Sequence, residues 1–258
     1  MSLPSPARLK TASFKYQETR SGVKEPVTAP MNQSLLILLL ALVTALAPGC
    51  RKSAEPGPVP TQNFQPLGTG SYWNYRVTGT SNYDFTLLAT DRDTLINSRL
   101  YRLFTNSAGN NEYFHRTVNN YFRFSEVAEL NNQPVELLYL KENLNTGQSW
   151  VETKIIPYDV TGFGRVPVTV RFTFTITQKD VDYTVDGTRY NNVTVVTGVP
   201  QFSAALLSVV PIAIPSSSDI RYYYAAGIGL IYTNTSLQIP LANVDTNTET
   251  SLVSYQIR

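Results

Sequence analysis

The 258 residues contain only one cysteine and one histidine, the side chains on which most metal centres and many nucleophilic sites are built. A single thiol excludes a disulfide within the chain, so any folded part must be held together by its core. The lone imidazole, His115, lies in EYFHRT. No G-x-S-x-G elbow accompanies it, so a Ser-His-Asp site has no support, and a strand position is the plain reading. One histidine and one cysteine also fall short of a zinc ligand set. Long apolar runs are missing too. The longest, Leu35 to Ala47 (LLILLLALVTALA), is thirteen residues. A spanning helix needs about 20, whereas the core of a cleaved signal needs roughly 7–15.

That run ends in Ala47-Pro48-Gly49-Cys50, which places the one thiol directly behind it. The arrangement resembles the lipobox of bacterial lipoproteins. There the cysteine receives a diacylglyceryl group, the chain is cut before it, and the new amine is often acylated. Carried onto this sequence, Cys50 becomes the lipid attachment site and the first residue of the mature protein. Two or three acyl chains, at about 0.8 kcal/mol per buried methylene, make a firm anchor where one is marginal. Pro48 departs from the usual pattern. Two starts are open, Met1 and Met31; the second makes residues 1–30 an upstream artefact. Either way, 1–49 is a targeting segment and stays out of the fold.

Residues 1–49 hold five of the 21 basic and two of the 19 acidic side chains, so the remaining 209 residues carry 16 against 17, a net of −1. A near-neutral chain without a basic stripe gives no electrostatic case for nucleic acid. About 200 residues can bury one core. Val, Thr, Tyr and Phe dominate, punctuated by Asn and Gly, which is a strand-and-turn composition.

Residues 50–63, with prolines at 56, 58 and 60, read as an extended tether. Strands are expected at 72–80, 83–90, on both sides of Asn97-Ser98 within 94–104, at 112–117, 121–124, 135–140, 167–177, 183–196, 220–224, 229–232 and 252–257. In PVTVRFTFTIT, Val168, Val170, Phe172, Phe174 and Ile176 share one face. Asp186-Gly187 between two β-rich arms is the strongest hairpin signal. The expected fold is all-β: one domain over 64–258, a strongly curved antiparallel sheet forming a half-open barrel or a sandwich, with at most one or two short helices. Two similar meanders are suggested by recurring stretches. TGSYW (Thr69–Trp73) returns as TGQSW (Thr146–Trp150), and INSRLY (Ile96–Tyr101) as VDGTRY (Val185–Tyr190).

FQPLGTGSYWNY, DTLINSRLY, GQSW, VDGTRYNNV and YYYAAGIGLIY, in that order, resemble a set of uncharacterised lipoproteins of Bacteroidota. These share an F-x-P-L-x-x-G-x-Y-W-x-Y opening and a GVGLI-like late strand. The resemblance spans most of 64–257 and implies an envelope location, with no activity attached. Arg51-Lys52 follow the cysteine, where surface-exported lipoproteins of this phylum tend to carry acidic residues. The expectation is therefore an outer-membrane anchor facing the periplasm.

Candidate chemistry is thin. Asp180, Asp182 and Asp186 do not fit a calcium loop, and NSAGNNE (Asn106–Glu112) reads as a solvated turn. No spacing selects a carboxylate pair among Asp84, Asp91, Asp93, Glu126, Glu129 and Asp159. No metal or cofactor is called for. Sixteen tyrosines stand out. Tyr222 and Tyr224 must share one strand face while Tyr223 takes the other. Val199 to Pro215 (VPQFSAALLSVVPIAIP) carries no charge, and is read as a short helix over Phe202–Val210 packed on the sheet, or as a flap over an apolar cavity. Phe202, Leu206, Leu207, Tyr222 and Tyr224 are the ligand-binding candidates. The preferred function is a non-enzymatic, membrane-anchored envelope lipoprotein binding a partner protein, a glycan or an apolar ligand. The alternatives are a lipid-handling protein with an open barrel, and a hydrolase with an unrecognised carboxylate site.

Overall fold

The computed structural model describes residues 62–127, 133–160, 164–204 and 211–258. Cys50, Leu206 and Leu207 lie outside them. Thirteen strands form one sheet: β1 (Tyr72–Gly79), β2 (Tyr83–Ile96), β3 (Arg99–Asn106), β4 (Glu112–Arg116), β5 (Asn120–Val127), β6 (Gln133–Lys141), β7 (Ser149–Val160), β8 (Gly164–Val185), β9 (Thr188–Ala204), β10 (Ile212–Ile214), β11 (Ser217–Ala225), β12 (Gly229–Ile239) and β13 (Val244–Gln256). Every ladder is antiparallel. The order is β6-β5-β4-β3-β2-β1-β13-β12-β11-β9-β8-β7, with β10 paired on β9. Two up-and-down meanders are thus joined by the β1–β13 ladder and curl into a nearly closed barrel. The one helical turn among the described residues is 3₁₀, over Pro240–Ala242.

The alternation in β8 explains the curl. Val168, Val170, Phe174 and Ile176 are buried on the inner face, while Arg165 and Arg171 project outward. Turns fix the register. Asn97 and Ser98, at φ 49° and 64°, and Asp186 and Gly187, at φ 46° and 82°, all adopt the left-handed conformation of two-residue hairpins. In β2 the two segments expected on either side of residue 91 are one strand of 14 residues, interrupted by an irregularity between Ala89 and Asp93. There the Arg102 guanidinium holds Asp93 at 2.5 Å and the Thr90 carbonyl at 3.1 Å.

The expected helix at Phe202–Val210 is not formed over its first part. Phe202, Ser203 and Ala204 belong to β9 and pair with β8 and with β10; the rest lies outside the described residues. Pro200 is tolerated because the β11 ladder stops at Gly198 and the β10 ladder starts at Phe202. β7 is absent from the sequence-derived strands, since its half-buried positions carry Glu152 and Lys154, 3.1 Å apart, which disrupt the apolar alternation.

One end of the barrel is plugged. Phe64 is fully buried edge-on to Tyr121, whose hydroxyl donates to the Gln62 carbonyl at 2.6 Å. Trp73, Phe104, Leu140, Ile231 and Leu252 are buried in the same cluster as Phe64 and Tyr121. A second apolar cluster around Val135, Ile156, Val168, Val170, Phe202 and Leu237 packs the far ends of β6 to β9 and of β12.

Candidate functional site

Between these clusters the barrel encloses a cavity of about 590 Å³. Its wall is largely aromatic and aliphatic, with Phe85, Leu87, Phe114, Phe172, Phe174 and Phe202 among the lining residues. Thr233, Thr235, Thr246, Thr248 and Thr250 form a polar stripe on β12 and β13. Exposed lining residues Thr80, Ser81, Tyr83 and Glu126 mark its opening. The volume is that of a small-molecule site.

Two charged residues stand deep in this wall. Glu112 opens β4 and Arg123 occupies the middle of β5, where alternation puts it on the same face as Tyr121 and Ser125. Arg123 Nε lies 2.9 Å from Glu112 Oε2. The Asn106 side-chain amide donates to the other Glu112 oxygen at 3.1 Å, so both oxygens of this buried carboxylate are engaged. The Arg123 side chain is 44 % accessible because it borders the open cavity. Burial pulls its proton affinity down, but the facing Glu112 outweighs this and keeps it firmly cationic.

Tyr75, Tyr139, Tyr222 and Tyr224 also line the cavity. The Tyr75 hydroxyl donates to the Leu230 carbonyl at 2.9 Å, and that of Tyr139 to Gln65 Oε1 at 3.2 Å. Burial raises the phenol pKa of Tyr75, Tyr139 and Tyr224 well above the ordinary range. The Tyr139 and Tyr224 rings stand 5.4 Å apart, and Tyr222 stacks on Tyr224 at 6.3 Å.

The sequence candidates divide clearly. Phe202, Tyr222 and Tyr224 lie on the cavity wall. Tyr223 takes the opposite face, stacked on Tyr183 at 4.2 Å. His115 is half-buried away from the cavity, with Nδ1 2.8 Å from the Leu100 carbonyl and its ring against Tyr101 and Phe122. Asp182 pairs with Arg189, and Asp186 forms a turn. Among the described residues no cluster of His, Cys, Asp and Glu is placed to hold a metal ion. Sequence reasoning missed Glu112 and Arg123. No signal within β4 or β5 alone says which of their faces turns inward.

No family model matches the chain, and no curated protein matches it. A search of solved structures found a "putative lipoprotein" from Parabacteroides distasonis, 14 % identical, covering 76 % of this chain and 99 % of that one at a TM-score of 0.34. A likeness this loose carries neither fold nor function across.

Proposed function

We propose that this chain is a lipid-anchored envelope protein whose barrel carries an amphipathic small molecule. The observation that supports it is the cavity of about 590 Å³, largely apolar in its lining but with a polar island at Glu112, Arg123 and the tyrosines. A packed structural barrel of this size would fill that space with side chains. The anchor is argued from sequence: thirteen uncharged residues, a small residue, then Cys50 and a proline-rich tether. An outer-membrane position facing the periplasm belongs to the same reading, through Arg51 and Lys52. The tyrosines that suggested a sugar-binding or partner-binding surface line the interior at 75, 139, 222 and 224, which favours an enclosed ligand over a docked partner.

The test has two arms. Wild-type protein should incorporate labelled fatty acid in its own host, and Cys50→Ser should not. Native mass spectrometry of the protein from its own envelope should show a non-covalent organic mass that denaturation releases. Labelling that survives Cys50→Ser sinks the anchor. A barrel that always arrives empty and takes up no amphiphile sinks the carrier.

A further inference from the structure

Arg123 brings a cation to the cavity wall, and Tyr224 lines the same cavity close enough to feel its charge. Glu112 spends one oxygen on the Asn106 amide and the other on Arg123 Nε, so it presents no open carboxylate edge to a cation. Tyr75 and Tyr139 commit their protons to Leu230 and Gln65. The polar groups facing the cavity include the outer edge of the Arg123 guanidinium and the Tyr224 hydroxyl, as well as the threonines of β12 and β13. The Arg123 side chain is 44 % accessible, so its guanidinium is open to a ligand in the cavity, and an oxygen-rich anion matches it. The outer edge of a guanidinium carries two parallel N–H vectors that match the two oxygens of a carboxylate. Because Glu112 already shares the positive charge, the site suits a monoanion better than a dianion. Around this island the wall is apolar, with Phe85, Phe114, Phe172, Phe174 and Leu237 among its residues.

We propose that the ligand is a long-chain monocarboxylate, its head group held by Arg123 and Tyr224 and its apolar body lying against the phenylalanine wall. This rests on the carrier reading above. It deepens that reading by assigning the ligand class and the residues that select it.

Three probes with the same tail separate the two readings: dodecanoate, dodecan-1-ol and dodecylamine, titrated calorimetrically into full-length protein freed of endogenous lipid. Dodecanoate should bind at least about tenfold more tightly than either of the others, the value of one charge-assisted pair. Tyr224→Phe, which removes a single oxygen, should weaken dodecanoate about two- to tenfold and leave dodecanol unchanged. The Glu112→Gln, Arg123→Gln double variant removes both charges together and avoids an orphaned carboxylate; it should erase the preference. Should it fail to fold, Tyr224→Phe still decides the matter. Equal binding of acid and alcohol overturns the head-group assignment while the carrier reading stands. Preference for the amine, or an acid preference that survives both variants, overturns it as well. Failure of all three probes to bind overturns the carrier reading too.

Discussion

The indole nitrogen of Trp150 on β7 donates to the carbonyl oxygen of Leu138 on β6 at 2.8 Å. These are the two end strands of the sheet, and among the described residues no ladder joins them. A side chain thus spans the seam where the twelfth ladder, the one that would close the barrel wall, is missing. The Lys179 ammonium reinforces the same end by donating to the Glu142 and Leu144 carbonyls at 2.7 and 3.1 Å. Trp150→Phe keeps a ring on Phe174 but orphans the Leu138 carbonyl. It should lower stability to urea by about 1–3 kcal/mol. Amide exchange should accelerate in β6 and β7 and stay unchanged in β1 and β13. Equal protection in both seams would show that the tryptophan does not close the barrel.

Gly68 tests the plug in a different way. A Cβ built there falls 2.0 Å from the backbone oxygen of Arg258, whose own N–H donates to Ser71 Oγ at 2.9 Å. No rotamer change relieves a clash between backbone atoms. Gly68→Ala should therefore cost about 1–3 kcal/mol in thermal denaturation. Gly109, with open space around its added Cβ, is the control and should stay within about 0.5 kcal/mol on the same substitution. Coincident melting curves for the two variants would place the chain terminus elsewhere.

Much of the architecture was readable from local chemistry. The left-handed turn at Asp186-Gly187 and the alternation of Val168 to Ile176 are properties of a few adjacent residues. The recurring TGSYW and TGQSW fall at like places in the two meanders. Gly70 and Gly147 have φ of 82° and 86° and donate to Ala89 and Ile176, and the tryptophans that follow are both buried. The unequal spacing to the next repeated element arises from strand length: β7 and β8 run to 12 and 22 residues where β1 and β2 run to 8 and 14. The polar island was not readable. Glu112 and Arg123 sit on adjacent strands, and nothing local says that their faces turn inward. Edge strand β7 escaped because half of its wall is contributed by Glu152 and Lys154.

Alkaline pH offers a direct probe of the cavity phenols. Burial holds the pKa of Tyr75, Tyr139 and Tyr224 above the ordinary value, with Glu112 adding to the effect at Tyr75. Tyr183 on the outer face is pushed up to about 12 by burial and by Tyr223. The folded state thus retains protons that the unfolded chain releases above pH ~10. The stability these groups contribute is complete below that pH and is lost as pH climbs toward the folded-state values. Tyr224→Phe should be close to neutral at pH 7 and should flatten the alkaline slope. Urea midpoints measured from pH 7 to 11 on both proteins decide this; parallel slopes would mean that the Tyr224 phenol already titrates freely.

On the acid side the relevant group is Glu136. Partial burial alone would raise its pKa, but the Tyr101 hydroxyl and the Arg99 guanidinium outweigh this, with a further bond from the Asn97 amide, and hold it below the usual carboxylate range. Arg99 is kept in place by the Phe122 ring, 4.3 Å from its guanidinium carbon. Because the folded value is depressed, the unfolded chain takes up the proton first as pH falls. The contribution is therefore complete above the unfolded value of about 4.3 and disappears as pH drops through the folded one. Glu136→Gln should cost about 1–2 kcal/mol at neutral pH, water screening the half-exposed Arg99 share. The deficit should shrink steadily below about pH 4.3, until wild type and variant unfold at the same urea concentration. A deficit that stays constant down to pH 2 would mean that packing around Tyr101, and not the charge on Glu136, holds β3 against β6.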